Sequence, residues 1–292
     1  METIRNPIEW SGKQVASATG FFSSVAGAVR GPGEAVARPE IRSITGADLF
    51  DALARGWEDV QAVRSDAVSL CLVYPVIGVL LTVAAVDLRL LPMVFPMAAG
   101  FALVGPVLAI GLYEMSRRRE AGLETRWIHA LGVIGSPSAG ALFLMGLGLV
   151  GLYAAWLVAA EVLYQVTLGP EKPLSLMAFY EQATASTAGW IMILGGIGLG
   201  FLFALLALAA AAFSFPLLLD RDVGIRVAVE TSLRVFSGNP ATMLMWGFLV
   251  AATLVLASLP AFVGLIFALP LLGHATWHLY RRAVAWPDET PR

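Results

Sequence analysis

The chain has 292 residues, 58% of them hydrophobic and 14% charged, with a formal net charge of -2. An average soluble domain is about 25% charged, so the composition excludes an ordinary soluble fold; the near-neutral balance carries no message about nucleic acid, any basic surface would have to come from local arrangement, and no nucleic-acid partner is expected. The single cysteine, Cys71, excludes a disulfide framework within the chain and reads as a small apolar filler rather than a redox group.

Residues 1–44 read as an N-terminal cytoplasmic tail. Ile8, Val15, Ala18, Phe22, Val25 and Val29 form an apolar stripe that Gly31-Pro32-Gly33 ends. Two readings stay open: a partly disordered tail, or a helix on a membrane surface or partner, held by apolar burial because cations are few. The run Phe21–Val29 is too short for a secretory signal.

Six apolar stretches follow, at 66–86, 93–115, 139–160, 188–219, 241–259 and 261–279. A helix rising ~1.5 Å per residue crosses a ~30 Å hydrocarbon core in about 20 residues, so each can span. The fold class is therefore all-α: a polytopic membrane domain over residues 45–282, with a short C-terminal tail at 283–292. The fourth stretch exceeds the need and should tilt, break or protrude. Of the 19 Lys and Arg, only Arg89 and Lys172 fall in the loops on the side opposite the termini. The positive-inside rule then places both termini in the cytoplasm.

The chain also reads as an imperfect threefold repeat of an amphipathic cytoplasmic helix, a cap and two spans. Leu49, Leu53, Trp57 and Val60 form the first stripe, with Thr45 and Asp48 as its cap. Trp127, Ile128 and Leu131 form a shorter second, and Ile225, Val229, Leu233 and Phe236 the third. Helices too short and charged to span are expected at the headgroup boundary. Ser65-Asp66, Ser136-Pro137 and Asn239-Pro240 are helix-start signals. After Pro106 come Tyr113, Arg117 and Arg118; after Pro270, at the same offsets, come Trp277, Arg281 and Arg282. Such aromatic–arginine pairs read as interfacial anchors at the headgroup level.

Ionisable groups near lipid are costly unless paired or functional. Glu114, Asp220, Arg221, Asp222 and Arg281 fall at the cytoplasmic ends of spans two, four and six. From the shared prolines, Asp220 and His274 occupy one offset, and Glu114 and His278 another. A polar collar or ligand site of Glu114, Asp220, Arg221, His274 and His278 is the expectation, with Asp220 paired to His274. His274 and His278 share a helix face, yet no further ligand is at metal-binding spacing, so neither metal nor cofactor is expected. Gly196 and Gly200 form a GxxxG pair for close helix packing, within the monomer or across a homodimer. No nucleophile triad, Walker loop or paired-carboxylate site is present in the sequence, and no enzyme activity is expected.

The segments at 95–118 (FPMAAGFALVGPVLAIGLYEMSRR), 215–224 (FPLLLDRDVG), 239–247 (NPATMLMWG) and 269–282 (LPLLGHATWHLYRR) resemble a bacterial integral-membrane family known as domain of unknown function 2189. The resemblance implies six spans in a bacterial inner membrane and supplies no activity. Three histidines are too few for an oxidase catalytic subunit. Two functional readings remain: a non-enzymatic scaffold or accessory protein that binds lipids or other membrane proteins, and a small transporter with a polar site at the cytoplasmic ends of spans two, four and six. A polar cavity reaching mid-membrane would mark the transporter; a sealed apolar core would mark the scaffold.

Overall fold

The computed structural model describes residues 38–63, 90–169 and 175–287, with the isolated positions 25, 27, 71, 76, 78–80, 83 and 173. The expected tail stripe, the Ser65-Asp66 start and most of the first apolar stretch lie outside the described residues. In chain order the elements are β1 (Glu40–Ile41), α1 (Gly46–Ala62), α2 (Val94–Phe101), α3 (Gly105–Leu108), α4 (Ile110–Glu120), α5 (Trp127–Ala130), α6 (Ala139–Thr167), α7 (Leu176–Thr184), α8 (Thr187–Ala211), α9 (Ser214–Asp220), α10 (Gly224–Gly238), α11 (Pro240–Ser258), α12 (Leu265–Ala283) and β2 (Val284–Ala285). β1 and β2 pair antiparallel, Glu40 with Ala285 and Ile41 with Val284, which ties the two ends of the described chain together.

Among the described residues four segments are long and apolar enough to cross a membrane: Leu91–Glu120, Ala139–Thr167, Thr187–Asp220 and Pro240–Ser258. The stretch expected at 261–279 forms α12, but the C-terminal half of that helix carries His274, His278, Arg281 and Arg282 and is mostly buried in protein. By burial it is a core helix. α11 and α12 are joined by a turn in which Ala261 and Phe262 both take positive φ.

Two of the long segments are broken for identifiable reasons. In Leu91–Glu120, Pro92, Pro96 and Pro106 remove backbone donors, and a 3-10 turn at Ala102–Val104 separates α2 from α3. Tyr153 and Trp156 of α6 supply donors to α2 in return, to Met97 O at 3.1 Å and Pro96 O at 2.8 Å. Gly100 lets this happen, because any Cβ there would collide with the Tyr153 ring. In Thr187–Asp220 the break lies at Ala212–Phe213, as the excess length suggested. Pro216 has no N–H to give the Ala212 carbonyl. One turn earlier the Ser232 hydroxyl of α10 is inserted into the ladder. It accepts from Phe213 N at 3.3 Å and donates to Ala209 O at 2.8 Å.

The surface helices differ from the sequence reading by a rotation. On α1 the buried face is Leu49, Ala52, Gly56, Asp59 and Val60, while Trp57, expected in the stripe, is 47% exposed. On α10 Ala228, Thr231, Ser232 and Val235 are buried, and Leu233 faces outward. Both helices turn small and polar residues inward, where each packs on another helix of the protein. The second unit contains only the one-turn α5 and a 3-10 turn at Leu131–Gly135.

Candidate functional site

The site begins with a small residue. Gly56 of α1 crosses Ala275 of α12 so closely that a Cβ would stand 2.7 Å from the Ala275 backbone nitrogen. The helices run antiparallel, with Arg282 Nε 2.7 Å from Asp48 Oδ1 at the far end of the contact. Asp48 also accepts from the Thr45 amide and hydroxyl, each at 2.8 Å, completing the expected cap. The Thr45 amide bond, against a little burial, holds the Asp48 carboxyl below the usual range.

Three residues after Gly56, Asp59 enters the crossing and is 2% exposed. His278 Nε2 lies 2.8 Å from Asp59 Oδ2, and the Ser116 hydroxyl of α4 donates to the same oxygen at 2.6 Å. Arg119 of α4 pairs with Oδ1. Ser116 Oγ is also 2.7 Å from His274 Nδ1, and that imidazole is completely buried. The Leu112 carbonyl lies against the ring, yet His274 Nε2 forms no hydrogen bond of normal geometry among the described residues. Burial alone would raise the Asp59 carboxyl. Hydrogen bonds from His278 and Ser116 outweigh it and hold the group at about 2.

A second polar layer adjoins the first. Asp220 at the end of α9 accepts from the Tyr280 hydroxyl at 2.8 Å and from Arg281 at 3.2 Å. Arg281 Nε reaches Glu120 at 3.3 Å, and Trp277 Nε1 donates to the same carboxylate at 3.0 Å. Glu114 takes a two-pronged bond from Arg117, at 2.7 and 2.9 Å, with Arg118 at 3.9 Å. Arg221 stacks over Trp286 at 5.1 Å. Asn239 starts α11 as expected, but its side chain does not cap the helix. It accepts from Ile44 N at 2.8 Å and donates to Arg42 O at 3.2 Å, pinning the strand that leads into α1.

The structure thus gathers the ionisable ends of α4, α9 and α12 at one end of the bundle, with different pairings from those the prolines suggested. Asp220 meets Tyr280 and Arg281 rather than His274, and Glu114 meets Arg117 rather than His278. Both histidines turn to Asp59, because α1 packs along α12 and carries that carboxylate to them. The anchor reading is also corrected for its aromatic members: Tyr113 and Trp277 are 2% and 1% exposed, inside the protein. Arg281 is engaged with Asp220 and Glu120, Arg282 with Asp48, and Arg117 and Arg118 with Glu114. Gly196 and Gly200 face α6, toward Leu163 and the Trp156 ring. Among the described residues no cluster of three or more His, Cys, Asp or Glu is placed to hold a metal.

Asp59 escaped the sequence reading because it sits among the charges flanking the α1 stripe and its partner His278 is 219 positions away. The available signal was paired spacing: a small residue stands three positions before each, Gly56 before Asp59 and Ala275 before His278.

Neither a curated protein nor a solved structure matches the chain. A family model described as "Predicted integral membrane protein (DUF2189)" matches residues 94–220. That stretch contains the first segment of the sequence resemblance and six of the ten residues of the second, along with Glu114, Ser116, Arg119 and Asp220. The apolar segments and the family match agree on a multi-pass integral membrane protein, and over residues 94–220 the chain is similar to the DUF2189 family of predicted integral membrane proteins.

Proposed function

We propose that the protein is a non-enzymatic scaffold or accessory protein of a bacterial inner membrane, with six spans in three repeated units and both termini cytoplasmic. One observation carries the scaffold reading. The buried charged and amide side chains of the described residues, Asp59, Glu114, His274 and Asn239, belong to one end of the bundle, and each has a protein partner. Between the long segments Trp156, Phe203, Leu149 and Ala207 share one apolar core, and the polar atoms of Tyr153 and Trp156 there are taken up by the Met97 and Pro96 carbonyls. A substrate pathway needs polar groups at depth; a scaffold needs a sealed core and an apolar outer face for lipid and neighbours. The outer face includes Ile191, Leu194, Phe248 and Val255, all more than half exposed.

Photo-crosslinking from those four positions in native membranes tests this reading. A scaffold gives discrete protein adducts from one face and lipid adducts from the other. Lipid adducts alone from every position would overturn it. The Asp59 cluster favours a second reading, a proton-linked transporter, because it is a buried ionisable group at the junction of three helices. Reporter fusions after residues 90, 175 and 260 should be periplasmic, and those after 120, 230 and 290 cytoplasmic; one inverted pair would overturn the six-span topology.

A further inference from the structure

Asp59 is surrounded by groups able to give or take a proton. The hydrogen-bond directions follow from what each group can do. An ionised carboxylate only accepts, so His278 Nε2 and Ser116 Oγ both donate to Oδ2. With its one hydrogen committed, the Ser116 hydroxyl must accept from His274 Nδ1. The same assignment leaves His274 Nε2 a bare acceptor, fully buried and unpartnered among the described residues. A buried acceptor left open is uncommon in native proteins and calls for an explanation. The two imidazoles also differ in access. The His278 side chain is 16% exposed, whereas that of His274 is 0% exposed.

We infer that Asp59 is a proton-binding site with two entrances, His278 at the open edge of the cluster and His274 facing the bundle interior, and that Arg119 competes with the proton for its carboxylate. Through the first entrance, a proton bonds to His278 Nδ1 while the Nε2–H bond breaks and its proton passes to Asp59 Oδ2. Through the second, a proton bonds to His274 Nε2, the Nδ1 proton passes to Ser116 Oγ, and the original hydroxyl proton passes to Asp59 Oδ2. Either route takes up one proton and loses none. It ends with a neutral carboxylic acid and a neutral imidazole whose tautomer has switched.

Among the described residues the charged and titratable groups facing Asp59 are His274 and His278 from α12 and Arg119 from α4, while Arg55 on its own helix is engaged by Asp51. Burial favours the neutral acid, and the surrounding donors keep it charged. Loosening a donor therefore favours uptake. The Arg119 side chain is 40% exposed and can leave the pair for water or an anion. Proton binding at Asp59 and release of Arg119 are thereby linked, and by reciprocity an anion that captures Arg119 promotes protonation. The site is independent of the scaffold reading and would give the transport reading its coupling ion. The experiment below measures no transport, so the two can fail separately.

The full chain in phosphatidylethanolamine–phosphatidylglycerol vesicles is titrated while the protonated-carboxyl infrared band is followed, with Asp59→Asn identifying the Asp59 component. Arg119→Gln is expected to move that midpoint upward by more than tenfold in proton concentration; an unchanged midpoint overturns the competition. Ring-nitrogen resonances of wild-type His274 give a second readout that needs no variant to fold. A bare Nε2 and protonated Nδ1 at neutral pH are expected, and a protonated Nε2 there overturns the two-entrance site. Ser116→Thr should keep the wild-type tautomer, and Ser116→Ala should lose it; identical spectra from both would remove Ser116 from the chain of transfers.

Discussion

The middle of the bundle and its polar end hold helices together by different means. Between α6 and α8 the contact is one of shape: Gly195 and Gly196 receive Leu163, and Gly200 receives the Trp156 ring. Lipid is as apolar as leucine, so burial there gives little, and close packing of small against large residues remains. Between α1, α4 and α12 the approach of Gly56 to Ala275 is equally tight, but it delivers Asp59 to four polar partners. Small residues serve packing in the first region and positioning in the second.

The comparison breaks most sharply at Asp59. Asp59→Ala leaves Arg119, Ser116 and His278 without their shared acceptor. Removing one partner of a buried pair costs about 3–5 kcal/mol, and the exposure of Arg119 places the expected loss near the lower bound. Thermal unfolding of the detergent-solubilised variant should fall accordingly. A melt within a degree or two of wild type would mean that the cluster is peripheral to the fold. Gly56→Leu attacks the same contact through shape. The added side chain meets backbone, which cannot rotate away, so a loss of about 3 kcal/mol is expected. Protease accessibility of α1 should rise in parallel, and an α1 as protected as in wild type would argue against the crossing.

Acid separates the two regions without mutation. The folded Asp59 carboxyl is depressed to about 2 from an ordinary 3.8. Its contribution is therefore fully present above pH ~4 and is lost as the pH falls toward ~2, amounting to about 2 kcal/mol. Asp59→Asn should flatten that part of the pH–stability profile, whereas substitutions between α6 and α8 should shift the profile without changing its shape. Equal acid sensitivity of wild type and Asp59→Asn would contradict the assignment.

Much of the bundle was legible because its cause is local. Apolar length marks spans, proline and excess length mark breaks, and Asn239-Pro240 marks the start of α11. The polar end was legible only as a set of residues. Which carboxylate meets which cation depends on how α1 docks, and that is fixed by contacts such as Ile44 with Asn239, 195 positions apart. The rotation of α1 that buries Asp59 and exposes Trp57 has the same origin: a 3.6-residue pattern identifies an apolar stripe, while the close crossing with Ala275 selects the face carrying Ala52 and Gly56. Asn239→Ala tests that long-range tie. The Ile44 amide would lose its acceptor, at about 1–2 kcal/mol, and the Arg42 carbonyl would lose a donor. Hydrogen exchange at Ile44 should accelerate; unchanged protection there would show that the tie is dispensable.

The smallest effect is the most discriminating for the middle of the bundle. Gly198 and Gly200 both lie on α8, but a Cβ at 198 meets nothing within 4 Å, whereas at 200 it stands 3.3 Å from the Trp156 ring. Alanine is favoured over glycine in a helix by up to about 1 kcal/mol, so Gly198→Ala should be neutral or slightly stabilising. At Gly200 the same gain is offset by the need to displace an indole that is 2% exposed and tied to Pro96 O. Gly200→Ala should therefore fall below Gly198→Ala by roughly 1 kcal/mol, with both proteins folded. Because the two substitutions share chemistry, helix and depth within a turn, their difference isolates the contact with α6. Equal stability would mean that Trp156 yields freely, and that this region is held by something looser than the fit of large residues against small ones.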